Sequence, residues 1–388
     1  MHNMRIGAVL SSAVRRGSPR RVAEGDRIQD ERKGSAEREG EGLDTARMII
    51  DVHTHFIPPE FLKAADHPAW GAAVERRDGR RWVVHDEGFA YPLDDGFLGG
   101  QLKLDDMDTR GIDFSIMSLA PTLFYYWIDT ADAASFARMA NDSLAETVAG
   151  SSGRLAGTAS LPMQDPEAAA EEYRRCVQEL GFVGAHVGTT IEGEYVDRDT
   201  YLPLWEAVDE LGAPVILHPY YIGPKVGYED YYLTNIFVNP LDTALAAGRL
   251  ILSGLFDRFE NLKFVLVHAG GFLPYQIGRF DHGWRVRQES RVSLDRPPSE
   301  YLDRFYFDTI THHDRALKWL IDLVGSQRVV LGTDLPFDMA DEDPVGRLER
   351  VADSQETRRL VGGSTALELF DLEEAALLGI RDDLGATR

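Results

Sequence analysis

The chain alternates between short apolar segments and longer amphipathic ones over most of its 388 residues. The apolar segments are rich in β-branched residues, which is typical of buried strands. We predict strands at residues 48–55, 112–118, 155–161, 183–187, 214–218, 262–268, 305–308 and 329–334. We predict helices at residues 103–110, 131–149, 166–180, 202–211, 240–256, 315–324, 344–353 and 355–370.

Buried strands that alternate with helices have two common arrangements, a closed parallel barrel and an open doubly wound sheet. The open sheet usually carries a glycine-rich phosphate-binding loop after its first strand. No such loop follows the first segment here, and Gly188, Gly270 and Gly271 are isolated turn glycines. The pattern therefore favours an α/β fold of the (β/α)8 TIM-like barrel type.

Polar side chains stand at the ends of five of the predicted strands. They are His53, His55, His218, His268, Asp308 and Asp334. The ends of parallel barrel strands open on one face, which is where the catalytic groups of such barrels lie. A single histidine there is often a core residue bonded to the backbone, but packing does not explain the whole set. We expect these side chains to form one site.

His53 and His55 are two residues apart on a strand, so their side chains point to the same side. Zinc at catalytic sites takes three or four protein ligands and keeps a position for water. We assign His53, His55, His218 and Asp334 as ligands of a divalent metal, with zinc as the expected ion. We assign His268 as an acid/base that exchanges a proton with metal-bound water, whose pKa the metal lowers to about 7.

The fourth predicted strand contains His186 and has no lysine that could be carbamylated to bridge two ions. The sequence therefore predicts one metal per chain. His186 itself has two interpretations: it lines the substrate pocket, or it is a barrel-interior histidine bonded to a neighbour.

Two regions fall outside the alternation. Residues 1–47 are rich in Arg, Glu, Gly and Ser and have almost no aromatic residues, so they lack the apolar surface that offsets the entropy of ordering. We interpret them as an extension that is disordered or foreign to the native protein, and residues 48–388 as the barrel. Residues 56–103 have no long helical period, and we expect them to form a small insertion over the mouth of the site.

Composition restricts the partners. The formal net charge of -23 makes nucleic acid or an anionic membrane surface an unfavourable partner, and the chain has no apolar run of the roughly 20 residues that span a bilayer. An anionic substrate must be held by local arginines. The single cysteine, Cys176, excludes an internal disulfide and predicts a cytoplasmic protein.

Several stretches resemble the amidohydrolase superfamily, and within it the branch of 2-amino-3-carboxymuconate-6-semialdehyde decarboxylase. They are residues 51–58 (DVHTHFIP), 161–164 (LPMQ), 176–182 (CVQELGF), 218–219 (HP), 268–274 (HAGGFLP), 278–279 (GR) and 332–337 (GTDLPF). The resemblance implies a metal-dependent barrel, usually with zinc, whose members mostly release carbon dioxide. It places the catalytic histidine at His268 and the four ligands at the positions assigned above.

The resemblance also implies two arginines that bind substrate carboxylates, one of them donated by a neighbouring subunit. The donated arginine corresponds to Arg287, so we expect a homodimer. The other position falls on Trp82, with Arg81 beside it, which leaves an aromatic or monocarboxylate substrate open. Tyr220 is among the aromatic residues after strand ends that are able to stack on a ring, although such residues also pack the barrel rim.

Three functions compete at this point. The leading one is decarboxylation of a small unsaturated or aromatic carboxylic acid. The second is hydrolysis of an ester, lactone or amide by the metal-bound water. The third is an inactive metal-binding scaffold, which the presence of His268 and Asp334 argues against.

Overall fold

The structure is a computed structural model, which describes residues 48–220, 227–228, 230–375 and 377–379. The predicted extension at residues 1–47 lies outside the described residues, so its interpretation stays a prediction.

The described strands divide into a barrel sheet and two small antiparallel sheets. In chain order they are β1 (Ile50–Phe56), β2 (Ala72–Arg77), β3 (Arg80–His85), β4 (Ala90–Pro92), β5 (Phe114–Leu119), β6 (Leu155–Ser160), β7 (Gly184–Gly188), β8 (Thr190–Ile191), β9 (Glu194–Tyr195), β10 (Val215–His218), β11 (Phe264–Leu266), β12 (Phe305–Asp308) and β13 (Val329–Val330). The barrel sheet has the order β1-β5-β6-β7-β10-β11-β12-β13, and each neighbouring pair is parallel.

Backbone hydrogen bonds join the two ends of this sheet and close the barrel. The Val52 amide donates to the Leu331 carbonyl at 3.0 Å, and the His55 amide donates to the Leu335 carbonyl at 2.8 Å. Thr54 and Leu335 also form a parallel bridge. The predicted (β/α)8 architecture is confirmed.

Helices follow the barrel strands as the alternation predicts. They are α1 (Gln101–Arg110), α2 (Thr130–Ala149), α3 (Pro166–Gln178), α4 (Leu202–Leu211), α5 (Asn239–Leu252), α6 (Leu255–Arg258), α7 (Leu273–Val286), α8 (Asp314–Val324), α9 (Pro344–Val351), α10 (Gln355–Arg359) and α11 (Thr365–Leu369). Gly111 and Gly212 end α1 and α4 in the left-handed conformation, with φ of 70° and 72°, which glycine adopts without a Cβ penalty. Among the described residues, no helix has the length and apolar character needed to cross a membrane.

The insertion after β1 folds as a cap. Strands β2, β3 and β4 form an antiparallel sheet, and the helical parts of the region are short 3-10 turns such as Pro59–Asp66. Its core contains Phe61, Trp70 and Phe97 and continues into Tyr125 beyond β5. The cap therefore packs on the carboxyl end of the barrel.

Three of the predicted elements differ from the structure. The strand predicted at residues 329–334 is regular only at Val329–Val330, and Asp334 beyond it takes a left-handed conformation with φ of 63°. The helix predicted at residues 355–370 is α10, a π-helical turn at Leu360–Ser364 and α11. The helix predicted at residues 240–256 breaks at Gly254, whose φ is 76°.

Candidate metal centre

Strand β1 brings two histidines into the barrel interior. Before a register shift between Asp51 and Thr54, Ile50 and Val52 pack in the apolar cluster inside the barrel. After the shift, the opposite set of residues faces inward, because side chains alternate along a strand. The Nε2 atoms of His53 and His55 then lie 3.1 Å apart.

Two further residues complete a buried cluster. His218 ends β10, and Asp334 follows β13. One ligand atom from each of His53, His55, His218 and Asp334 lies within 4.8 Å of the other three. Asp334 Oδ1 is 2.9 Å from His55 Nε2 and 3.5 Å from His53 Nε2. The structure therefore brings together all four residues that the sequence predicts as metal ligands.

Hydrogen bonds orient two of these imidazoles. His53 Nδ1 lies 2.8 Å from Asp308 Oδ2, and His218 Nδ1 lies 2.7 Å from the Pro219 carbonyl. Because both partners only accept, each Nδ1 carries the proton and each Nε2 presents a lone pair. His218 Nε2 is buried and has no hydrogen-bond partner among the described residues. Convergent lone pairs repel one another unless a cation lies between them, so this donor set fits a divalent metal.

The electrostatics of the cluster also suit a metal. Burial lowers the pKa of His55 to about 4 and holds the pKa of His218 well below its ordinary value, so both rings are neutral. Burial alone raises the pKa of Asp334, but the neighbouring imidazoles of His268 and His55 hold it well below the ordinary value. Neutral imidazoles and an ionised carboxylate are the protonation states that bind metals.

His53 differs from the other two ligand histidines. Burial disfavours its charged form, yet the hydrogen bond to Asp308 and the charge of Asp334 raise its pKa. Metal binding by His53 therefore competes with protonation of its ring.

His268 stands beside the four ligands. Its Nε2 lies 3.6 Å from Asp334 Oδ2, and its side chain is 17% exposed. The residue has a left-handed φ of 53°. Asp308 supports this conformation, because its carboxylate accepts the amide protons of His268 and Ala269 at 2.8 and 2.7 Å.

Asp308 is thus a residue of the site whose role the sequence does not predict. It ends β12 and is fully buried. One carboxylate both orients His53 and holds the backbone of His268. The neighbouring backbone is close, since a Cβ at Gly332 would lie 3.0 Å from the Cβ atoms of Asp308 and His53. In the sequence, the feature that points to a role in the site is that Asp308 ends a predicted strand, as the other polar residues of the site do.

A cleft of about 1600 Å³ opens at this face. His218, His268 and Asp334 line it from the barrel, and Trp82 lines it from the cap. The cap and its surroundings also contribute cationic side chains. These are Arg76, Arg80, Arg81, Lys103 and Arg110. Acidic side chains line the same cleft, among them Asp94, Asp95 and Glu342, and Arg81 and Arg110 pair with Asp95 and Asp106. The lining of the cleft is therefore of mixed charge.

The other three predicted substrate-binding residues are not among the described residues that line the cleft. His186 is fully buried, with its ring 5.8 Å from that of His55 and 5.3 Å from that of His218. Tyr220 is buried against Trp127, with the rings stacked at 6.1 Å. Arg287 follows α7, is two-thirds exposed and pairs with Glu289 at 2.7 Å. The assignment of these three residues to substrate binding stays a prediction.

Comparison with known proteins gives the family. Residues 50–372 match the amidohydrolase family. The chain belongs to the amidohydrolase family.

The relatives of this amidohydrolase include several decarboxylases. It is 32% identical over 332 residues to 2-amino-3-carboxymuconate-6-semialdehyde decarboxylase of Dictyostelium discoideum, covering 84% of this chain and 92% of the relative. It is 34% identical over 347 residues to gamma-resorcylate decarboxylase of Rhodococcus jostii, covering 84% and 98%. A crystal structure of dihydroxybenzoic acid decarboxylase from Polaromonas, with bound manganese and the inhibitor 2-nitroresorcinol, superposes with a TM-score of 0.70 at 30% identity, covering 86% of this chain and 99% of the other.

Proposed function

We propose that this amidohydrolase is a metal-dependent carboxy-lyase that removes carbon dioxide from a small aromatic or unsaturated carboxylic acid. The observation that carries the proposal is the buried cluster of His53, His55, His218 and Asp334 with His268 beside it. The named activities of the relatives support decarboxylation, and two of the three act on aromatic acids.

We propose one divalent ion per chain, held by the same four residues, with zinc as the expected ion. Three imidazole nitrogens with one carboxylate are a donor set that zinc prefers, while the bound manganese of the Polaromonas structure makes manganese the alternative. When bound, the ion supplies a Lewis acid that stabilises negative charge on substrate oxygens.

His268 handles the proton in this proposal. Loss of the carboxylate as carbon dioxide leaves an electron pair on carbon, and a proton must take the vacated position. His268 borders the cleft, and its partial exposure of 17% allows it to recover a proton from solvent. Imidazole exchanges protons near neutral pH, which suits a general acid/base.

The walls of the cleft favour a planar anion. Phe337 lines the cleft and lies edge-on to the His55 ring at 5.0 Å, so a ring bound near the ligands meets an aromatic surface. Trp82 and Arg81 line the cap side. An arginine is able to bind a carboxylate through two hydrogen bonds.

We also propose a cytoplasmic homodimer. The described residues include a group of exposed apolar side chains on α5, α7 and α8, which are Leu241, Leu245, Tyr275, Trp319 and Leu323. Two of them, Tyr275 and Trp319, have rings 5.9 Å apart on different helices. Such side chains are typical of an interface.

The cytoplasmic location is proposed from cysteine usage. Cys176 is buried as a free thiol, as expected in a reducing compartment.

The proposal is tested with a panel of dihydroxybenzoates, other aromatic acids and unsaturated acids, alongside matched esters and lactones. We expect carbon dioxide release from an acid by protein loaded with zinc or manganese, and little release after metal removal. Cleavage of esters or lactones without carbon dioxide release would overturn the proposal in favour of a hydrolase. Activity that survives complete metal removal would overturn the metal dependence.

A further inference from the structure

A buried lysine lies next to the strand that carries His53 and His55. Lys103 is the third residue of α1 and is 4% exposed. Its Nζ donates to Thr54 Oγ1 at 2.6 Å and lies 3.7 Å from Asp51 Oδ2. Asp51 is fully buried. A lysine and an aspartate are rarely buried to this degree unless they are paired.

The partners of Lys103 connect the two chain segments that carry metal ligands. Asp51 Oδ1 accepts the amide proton of His53 at 3.1 Å, and Asp51 Oδ2 accepts the hydroxyl proton of Thr333 at 2.8 Å. Thr54 Oγ1 donates to the Leu335 carbonyl at 2.9 Å. The network therefore includes residues on both sides of His53 in one segment, and residues on both sides of Asp334 in the other.

The network lies where the barrel ladder is irregular. Strand β1 changes register between Asp51 and Thr54, and the last regular strand ends at Val330, four residues before Asp334. Backbone hydrogen bonds still join the two ligand-bearing segments, for example from the Val52 amide to the Leu331 carbonyl and from the Asp334 amide to the His53 carbonyl. An irregular ladder nevertheless fixes side-chain positions less firmly than a regular one. Side-chain bonds from a third element, α1, add a restraint to these backbone bonds.

We propose that Lys103 is a positioning residue, which holds the His53 and His55 pair in register with Asp334 through Asp51 and Thr54. The inference rests on the metal centre and not on decarboxylation. Its test measures metal affinity without substrate, so it stands or fails separately from the proposed reaction.

The variant Lys103→Met keeps the length and apolar stem of the side chain and removes the donor. We expect metal-depleted Lys103→Met to bind Zn²⁺ about 10- to 100-fold more weakly than the unchanged protein in competition with a chelator, as for other residues that orient ligands. The visible absorption of the Co²⁺-substituted variant should also change, because the ligand geometry changes. Affinity within about twofold of the unchanged protein, with the same Co²⁺ spectrum, would overturn the proposal.

A matched control separates positioning from general loss of stability. Arg154 is another buried cation, at the amino end of β6, where it donates to Asp108 at 2.7 Å and to the Ile112 carbonyl at 2.8 Å. Arg154→Met should lower the melting temperature and leave the Zn²⁺ affinity unchanged. Equal loss of affinity in Arg154→Met and Lys103→Met would show that Lys103 acts only through stability.

The double variant Lys103→Met, Asp51→Asn covers the case in which Lys103→Met does not fold. Removing both charges avoids an unpaired buried carboxylate, so the double variant should fold at least as well as Lys103→Met. It still lacks the bond from Lys103 to Thr54, and we expect its Zn²⁺ affinity to stay about 10-fold or more below that of the unchanged protein. Affinity equal to that of the unchanged protein would overturn the proposal.

Discussion

At the scale of single residues, the proposed centre separates metal binding from proton transfer. His218 Nε2 is buried, neutral and directed at the other ligands, whereas His268 borders the cleft and is partly exposed. His268→Ala should keep its metal and lose about 10²- to 10⁴-fold in turnover, the usual contribution of a general acid/base. His218→Ala should lose metal and turnover together. Metal content and turnover of both purified variants are the measurements.

Two other results would contradict these assignments. If His268→Ala loses metal in proportion to turnover, then His268 is a ligand and the proposed proton transfer needs another group. If His218→Ala keeps a full equivalent of metal, the ligand set proposed above is wrong.

The sequence predicts the four clustered residues because each stands at or near a strand end in a barrel pattern. It does not predict the roles of Asp308, Asp51 and Lys103. Their importance depends on distances between segments that are remote in the chain, such as the 2.8 Å from Asp308 to His53. A strand-end carboxylate has the same local pattern whether it binds a metal or orients a histidine.

At the scale of elements, the sequence predicts most strands and helices to within two or three residues, since each has a strong apolar period. It fails at β13, which is regular only at Val329–Val330 and is followed by Asp334 in a left-handed conformation. Backbone irregularity of this kind is common at functional sites. The register shift in β1 is a second example, because local sequence alone does not show which residues pair across strands.

A buried histidine in the cap should make the stability of the protein depend on pH. His85 ends β3, is 2% exposed and stacks on Phe89 at 4.2 Å, and neither ring nitrogen has a hydrogen-bond partner among the described residues. Burial lowers its pKa to about 4. Between its unfolded pKa of about 6.5 and its folded pKa, the unfolded chain takes up a proton that the folded cap does not. Stability should therefore be complete above about pH 6.5 and fall as the pH is lowered.

His85→Phe retains an aromatic ring and removes the titration. From about pH 7.5 to about pH 4.5, the unchanged protein should lose about 2 to 3 kcal/mol more unfolding free energy than this variant. Melting temperatures of both proteins across this range are the measurement, and loss of metal at low pH affects both alike. Parallel melting curves against pH would show that His85 is solvated or paired in the folded cap.

At the scale of the whole molecule, an acidic chain must bring an anion to a buried centre. Arginines stand among acidic side chains around the cleft, and each is able to bind a carboxylate directly against the repulsion from a formal net charge of -23. Arg287 is not among the residues that line the cleft of its own chain within the described structure. It lies after α7, whose Tyr275 belongs to the exposed apolar group. In a dimer built on that surface, Arg287 is available to the partner's site.

Mixing two inactive variants tests this arrangement. Arg287→Ala chains keep His268 and lack the arginine, and His268→Ala chains have the reverse defect. If the arginine crosses the interface, one site of each hybrid dimer contains both residues. After random exchange of equal amounts, half of the dimers are hybrids, so activity should recover to about one quarter of that of the unchanged enzyme. Mixing each variant with itself is the control, and mass spectrometry of the native dimers confirms exchange. Absence of recovery after confirmed exchange would assign Arg287 to its own subunit's site or to no role in the reaction.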